Sequence, residues 1–193
     1  MNITKTSYKG KTELKEKTVA MARSHVEQDH LVAGLYYSNE TAEWKGCSVG
    51  CFTHDPDGGH AKYPKMFGLP EWLARLQDRI FEGLDQEHRA WWHTSLFEAI
   101  PVGASLDLCL PKIIYWTLTE GLEGSYDRDK FPDVAKSVDR TVALIKRWSD
   151  GDRPAYAEFD EEAAGAAGAA WAAEAAFYKR LADTTLQILQ EAK

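Results

Sequence analysis

The chain has 193 residues, of which 44% are hydrophobic and 7 are tryptophan, and a formal net charge of −7. This is enough for one domain of ordinary size with a real core. The acidic balance argues against a nonspecific nucleic-acid binder, which needs clustered Lys and Arg to neutralise phosphates, though it leaves room for a local basic patch.

No stretch approaches the roughly 18 consecutive apolar residues of a membrane span. No apolar run follows the first basic residues, as a secretory leader requires. The 3 cysteines are an odd number and do not read as a disulfide framework. The expected setting is therefore the reducing cytoplasm, with no membrane and no nucleic-acid partner.

Residues 1–10 are polar and read as loose. Gly10-Lys11-Thr12 is not a phosphate loop, because Lys5 stands where the first glycine is required and no apolar strand precedes it. Thr12 is placed to cap a helix to about His30, with Leu14, Thr18, Ala22 and Val26 on one stripe. Gly34 to Ser38 reads as a strand, Asn39 to Thr41 as a turn, Ala42 to Trp44 as a return, and Val49 to Thr53 as a third strand. Gly68-Leu69-Pro70 opens the clearest helix, with Leu69, Leu73, Leu76, Ile80 and Leu84 at three- and four-residue spacing.

Asp85 is the cap of a second helix to about Ile100, and Pro101-Val102-Gly103 breaks the chain. Ser105 or Asp107 opens a third helix through Leu118, apolar enough to be expected as the buried central one. Asp133 opens another to about Trp148. From Glu158 to Glu191 the chain is alanine-rich, which favours helix. Ala164, Gly165, Gly168 and Ala172 are small enough to let the core or a second copy of the chain approach closely. The expected fold is mainly α, a bundle-like single domain with a β-hairpin or three-stranded β element near residues 34–54. Residues 1–154 form the helical core, and residues 155–193 an alanine-rich helix packed on it or on a partner subunit.

The chemistry-bearing residues concentrate between Trp44 and His60. Gly46 and Gly50 each precede a cysteine, so the backbone turns tightly or comes close to something there. Cys47, Cys51, His54 and His60 admit three readings. Thiolate and imidazole could close a zinc tetrahedron. One cysteine could be a nucleophile with a histidine as its base. Or both cysteines are small buried hydrophobes on one face of a strand.

Asp78 and Glu82, four apart on a helix, could hold a divalent metal with His88 or His93, or form a solvated face with Arg75 and Arg79. Tyr36, Tyr37, Trp44, Trp72, Trp91, Trp92 and Trp116 could line a pocket for a flat ligand, with Arg75 and Arg79 on its phosphate, or simply pack the core. Trp44, Tyr37, Arg75, Arg79 and Asp78 are the candidate ligand-binding residues. The sequence names no cofactor and commits to no metal.

The stretches Lys45-Gly46-Cys47-Ser48-Val49-Gly50-Cys51, Gly68-Leu69-Pro70, Leu73 to Leu84 and Ile100-Pro101-Val102-Gly103-Ala104 resemble a family of uncharacterised bacterial and phage proteins, many of which end in alanine-rich helices. The resemblance covers about residues 30–120 and brings no activity with it. It implies a cytosolic, phage-borne protein with a host-interaction or sequestering role. The functional expectation is a binding protein for a small, nucleotide-like ligand or a protein partner, with a homo-oligomer through the C-terminal helix as a further candidate. The alternative is a thiol- or zinc-dependent enzyme built on Cys47, Cys51, His54 and His60.

Overall fold

A computed structural model describes residues 6–38, 44–57, 59–121, 123, 127–155, 158–159 and 175–193. The fold is mainly helical with a small two-stranded antiparallel sheet. Helices α1 (Thr12–Glu27), α2 (Gly50–Thr53), α3 (Tyr63–Phe67), α4 (Glu71–Gly83), α5 (Gln86–Ala99), α6 (Cys109–Trp116), α7 (Pro132–Ser149) and α8 (Ala175–Gln190) follow one another along the chain. Strand β1 (Tyr37–Ser38) pairs with β2 (Lys45–Gly46), Tyr37 opposite Gly46 and Ser38 opposite Lys45. No helix among the described residues is long and apolar enough to cross a membrane.

Two compact units divide the chain: residues up to Leu106 together with Thr185–Lys193, and Asp107–Thr184. In the first, α5 packs against both α1 and α4. The spacing read in α4 has its physical cause here, since Leu69, Leu73, Ile80 and Leu84 are all buried. Each such side chain contributes roughly 1.5–3 kcal/mol on leaving water. Asp85 caps α5 as expected, its carboxylate accepting from His88 N at 3.0 Å, which satisfies an amide that the first turn leaves unpaired.

Several expectations need correction. Ser7–Gly10 is not loose: it forms a tight turn in which Ser7 and Tyr8 are buried, the Tyr8 hydroxyl donating to Phe97 O at 2.7 Å. Ser7 N donates to Ala104 O at 2.9 Å and Gly103 N to Ser7 O at 3.0 Å, so this segment is pinned to the break after α5. Val49 to Thr53 is not a third strand. Cys51 N donates to Cys47 O at 3.0 Å, Thr53 N to Val49 O at 3.1 Å and His54 N to Gly50 O at 2.8 Å, so the segment satisfies its own backbone as the helical turn α2. Cys47 and Cys51 therefore do not share a strand face.

The helix expected to be central, α6, belongs to the second unit, where it packs against α7. It buries Cys109, Pro111 and Ile113, while neighbouring Leu108 stays exposed. The centre of the first unit is α5 instead, through Trp92, His93, Leu96 and Phe97. Its polar atoms are paired internally, which lets a less apolar sequence occupy the core. In α8, Leu181, Thr185 and Leu189 are buried. Ala164, Gly165, Gly168 and Ala172 lie outside the described residues.

Candidate functional site

The segment from His30 to His54 is built around the two glycines. Gly46 N donates to His30 O at 2.9 Å, and Val32 N donates to Gly46 O at 2.9 Å. On the other side Gly46 pairs with Tyr37, so backbone flanks it on both faces. Gly50 lies closer still, because a β-carbon built there would sit 1.4 Å from Tyr36 O. These close approaches fix Leu35 and Tyr36, whose carbonyls both accept from Cys47 N, at 2.6 and 3.2 Å.

Gly34, Leu35 and Tyr36 form one wall of a cavity of about 330 Å³, and Asp78 and Glu82 on α4 form the other. Gly34 N donates to Glu82 Oε2 at 2.8 Å and ties the two walls together. The Cys47 sulfur and carboxylate oxygens of Asp78 and Glu82 all lie within 4.8 Å of one another. His60 Nε2 stands 3.3 Å from Asp78 Oδ2, and its ring meets Tyr36 edge-on. The other oxygen, Asp78 Oδ1, is sealed from solvent, and the neighbouring Cys47 thiol is the one donor set against this carboxylate besides His60 among the described residues. A carboxylate oxygen sealed from water costs stability unless something occupies its coordination sphere.

Burial raises the Glu82 carboxyl above its ordinary value, opposed by the Gly34 amide and reinforced by the facing Asp78 charge. Burial also raises the Cys47 thiol, and the adjacent Asp78 carboxylate pushes it further, while the Gly50 and Val49 amides pull the other way. One of these, Gly50 N, donates to the sulfur at 3.4 Å. Cys51 differs. Its thiol is pushed up to about 12 by burial and donates to Gly46 O at 3.3 Å. Both thiols are neutral at physiological pH, but that of Cys51 is already spent on the backbone carbonyls of His30 and Gly46, a structural role.

A fully buried polar line runs beneath the cavity. Ser48 O can only accept, and Gln77 Nε2 lies 3.2 Å from it, which fixes the amide with its NH2 toward Ser48. Gln77 Nε2 also donates to Ser48 Oγ at 2.6 Å, and Tyr63 OH donates to Gln77 Oε1 at 2.7 Å. Ser48 Oγ and His93 Nδ1 share a hydrogen bond at 2.8 Å. The other ring nitrogen, His93 Nε2, faces His25 Nδ1 at 3.1 Å, and one proton joins the two rings. Burial holds His25 down to about pKa 4, with the His30 and His54 charges adding to the effect, and holds His93 well below its ordinary value. Both rings are therefore neutral at physiological pH. Ser48 and His93 have 0% exposure, so the line holds the core together and offers no nucleophile to a substrate.

Of the residues singled out in the sequence, the structure brings Cys47, His60 and Asp78 together. Cys51 lies in α2 with its thiol turned to backbone. His54 closes α2 in a left-handed conformation and stacks on Tyr37 at 5.1 Å and near Trp44 at 4.6 Å. Tyr37 and Trp44 thus belong to an aromatic cluster with His25, His30 and His54. Arg75 is exposed and pairs with Glu71, Nε to Oε1 at 3.0 Å, and Arg79 is exposed on the same helix. Neither of the histidines considered as partners of Asp78 and Glu82 serves them: His88 pairs with its cap Asp85 at 2.7 Å, and His93 is in the buried line.

Tyr36, read in the sequence as a pocket-lining aromatic, does line the cavity, whereas the contribution of Gly34 and Leu35, and of Gln77 as the anchor beside Asp78, went unread. A larger groove of about 460 Å³ beside α1 is lined by Lys15, Arg23 and Glu98. Its cations are committed, Lys15 to the carbonyls of Glu98 and Ile100 at 2.8 Å and Arg23 to the Glu98 carboxylate at 2.7 Å. The chain matches no protein-family model, no curated protein and no solved structure in comparisons with each.

Proposed function

We propose that the protein binds a small cationic ligand in the cavity between Gly34–Tyr36 and the Asp78–Glu82 face of α4. The observation that carries this reading is the pair of facing carboxylates on one wall, with Asp78 Oδ1 sealed from solvent. A bound cation relieves the repulsion between the two acids. The cavity volume suits a small molecule or ion. Its lining disfavours a nucleotide, whose phosphates the same carboxylates would repel, and Arg75 and Arg79 are not among the lining residues.

Thermal unfolding with alkylamines, guanidinium compounds, divalent cations and nucleotides tests this. A ligand at about a hundred times its dissociation constant adds about 2.7 kcal/mol to the folded state, a rise of several degrees in Tm. The expected result is a rise with at least one cation and none with nucleotides, and its loss in Glu82→Gln. A nucleotide shift, or a cation shift unchanged in Glu82→Gln, would count against the reading.

A further inference from the structure

The donor set at this cavity is more specific than a general cation site. Two carboxylates alone would suit a hard ion held by oxygen. The third donor here is sulfur, from a different element of the chain, and all three donor atoms lie within 4.8 Å of one another. Sulfur is a soft ligand and selects zinc-like ions over magnesium or calcium. The Cys47 sulfur also receives an amide hydrogen from Gly50 at 3.4 Å, which fixes its position beside the two carboxylates. His60 braces Asp78 from the far side, Nε2 to Oδ2 at 3.3 Å, as outer partners brace metal ligands.

We infer that Cys47 Sγ, Asp78 and Glu82 bind a divalent transition metal of the zinc class, with the remaining coordination position facing the cavity formed by Gly34, Leu35 and Tyr36. The inference rests on the cation-binding reading above and names the cation. Three protein donors and one open position are the arrangement of a site that presents a metal-bound water or ligand, whereas closed structural sites use four protein donors. The metal takes the place of the thiol proton, which leaves to solvent. His60 acts as a positioning residue, holding the Asp78 carboxylate toward the sulfur. Cys51, the other cysteine of the segment, takes no part.

Cobalt(II) titration of the full chain under reducing conditions is the test, because a cobalt–thiolate bond gives a near-ultraviolet charge-transfer band. One cobalt per chain with that band, displaced by zinc, is expected. The band should disappear in Cys47→Ser and survive in Cys51→Ser. Glu82→Gln, a change at the partly exposed rim, should weaken binding at least about tenfold. It decides the matter if Cys47→Ser does not fold. Absence of cobalt binding, binding without the band, or unchanged affinity in Glu82→Gln would overturn the inference. If amines or guanidinium compounds still raise Tm through Glu82 while cobalt does not bind, the cation pocket stands and the metal assignment falls. If neither binds, both fall.

Discussion

Gly50→Ala will destabilise the protein by about 3 kcal/mol, near the top of the usual range for overpacking a tight site. The β-carbon would lie 1.4 Å from Tyr36 O and 2.5 Å from Tyr36 C. Neither atom belongs to a flexible side chain that can swing aside. The same carbonyl accepts from Cys47 N at 3.2 Å, so moving it also strains the backbone that carries the cysteine. Gly46→Ala acts in the same direction with a smaller effect, since its β-carbon would meet Tyr36 O at 2.5 Å. The consequence reaches the site, because Leu35 and Tyr36 line the cavity opposite Asp78 and Glu82. Urea unfolding of the wild type and Gly50→Ala would show a large fall in midpoint. Equal midpoints would mean that the close approach of the two segments is absent.

Stability will also fall as pH drops from about 6.5 toward 4. In the unfolded chain His25 takes a proton near its ordinary value of 6.5, whereas in the fold it does so only near 4. Between these values the unfolded state binds the proton that the folded state refuses, so protonation favours unfolding. The contribution of His25 is complete above 6.5, declines through the window, and is exhausted below about 4, where the folded ring is protonated too. The shift corresponds to roughly 3 kcal/mol at about 1.4 kcal/mol per unit. His93, fully buried and facing His25, adds in the same direction.

Carboxylates complicate the lower end of this range, and Glu82, with its raised value, opposes the trend there. Urea midpoints at pH 7 and 5 are therefore the clean comparison. The wild type should lose stability across that interval, and His25→Gln should lose less. A wild-type midpoint independent of pH, or an equal loss in the variant, would place the charged imidazole somewhere water can reach.

The parts of this structure that are legible in the sequence are those set by local rules. The α4 stripe follows from residues three and four apart, which share a helix face, and four of its five positions are buried in the fold, Leu76 being only half-buried. Asp85 is readable as a cap because its side chain reaches only its own first turn. The proximity of Asp78 and Glu82 is readable for the same reason. Gly46 and Gly50 are readable as points of close approach, though not what approaches them.

The rest depends on contacts between distant residues. Tyr8 looks like part of a polar terminus until its hydroxyl finds Phe97 O. Val49 to Thr53 alternates well enough to pass for a strand, and short apolar runs do not distinguish the two states. Backbone bonds from Cys51, Thr53 and His54 decide for helix. The site is half legible by the same logic. Cys47, His60 and Asp78 are chemistry-bearing residues whatever the fold, but only tertiary packing selects Cys47 over Cys51 and brings Cys47 and His60 to the Asp78–Glu82 pair. Ser48, Gln77, His93 and His25 are individually unremarkable polar residues, and their buried order emerges only when α1, α4 and α5 are packed.

Native mass spectrometry of the full chain and of Glu82→Gln, purified and handled identically and then offered zinc and a small amine panel, tests the central claim most directly. It reports binding at the carboxylate pair without assuming an activity. The account predicts a one-to-one cationic adduct on the wild type that is lost or sharply reduced in the variant. An adduct of equal intensity on both proteins, a phosphate-bearing adduct, or a bare mass for the wild type at every cation concentration would contradict it.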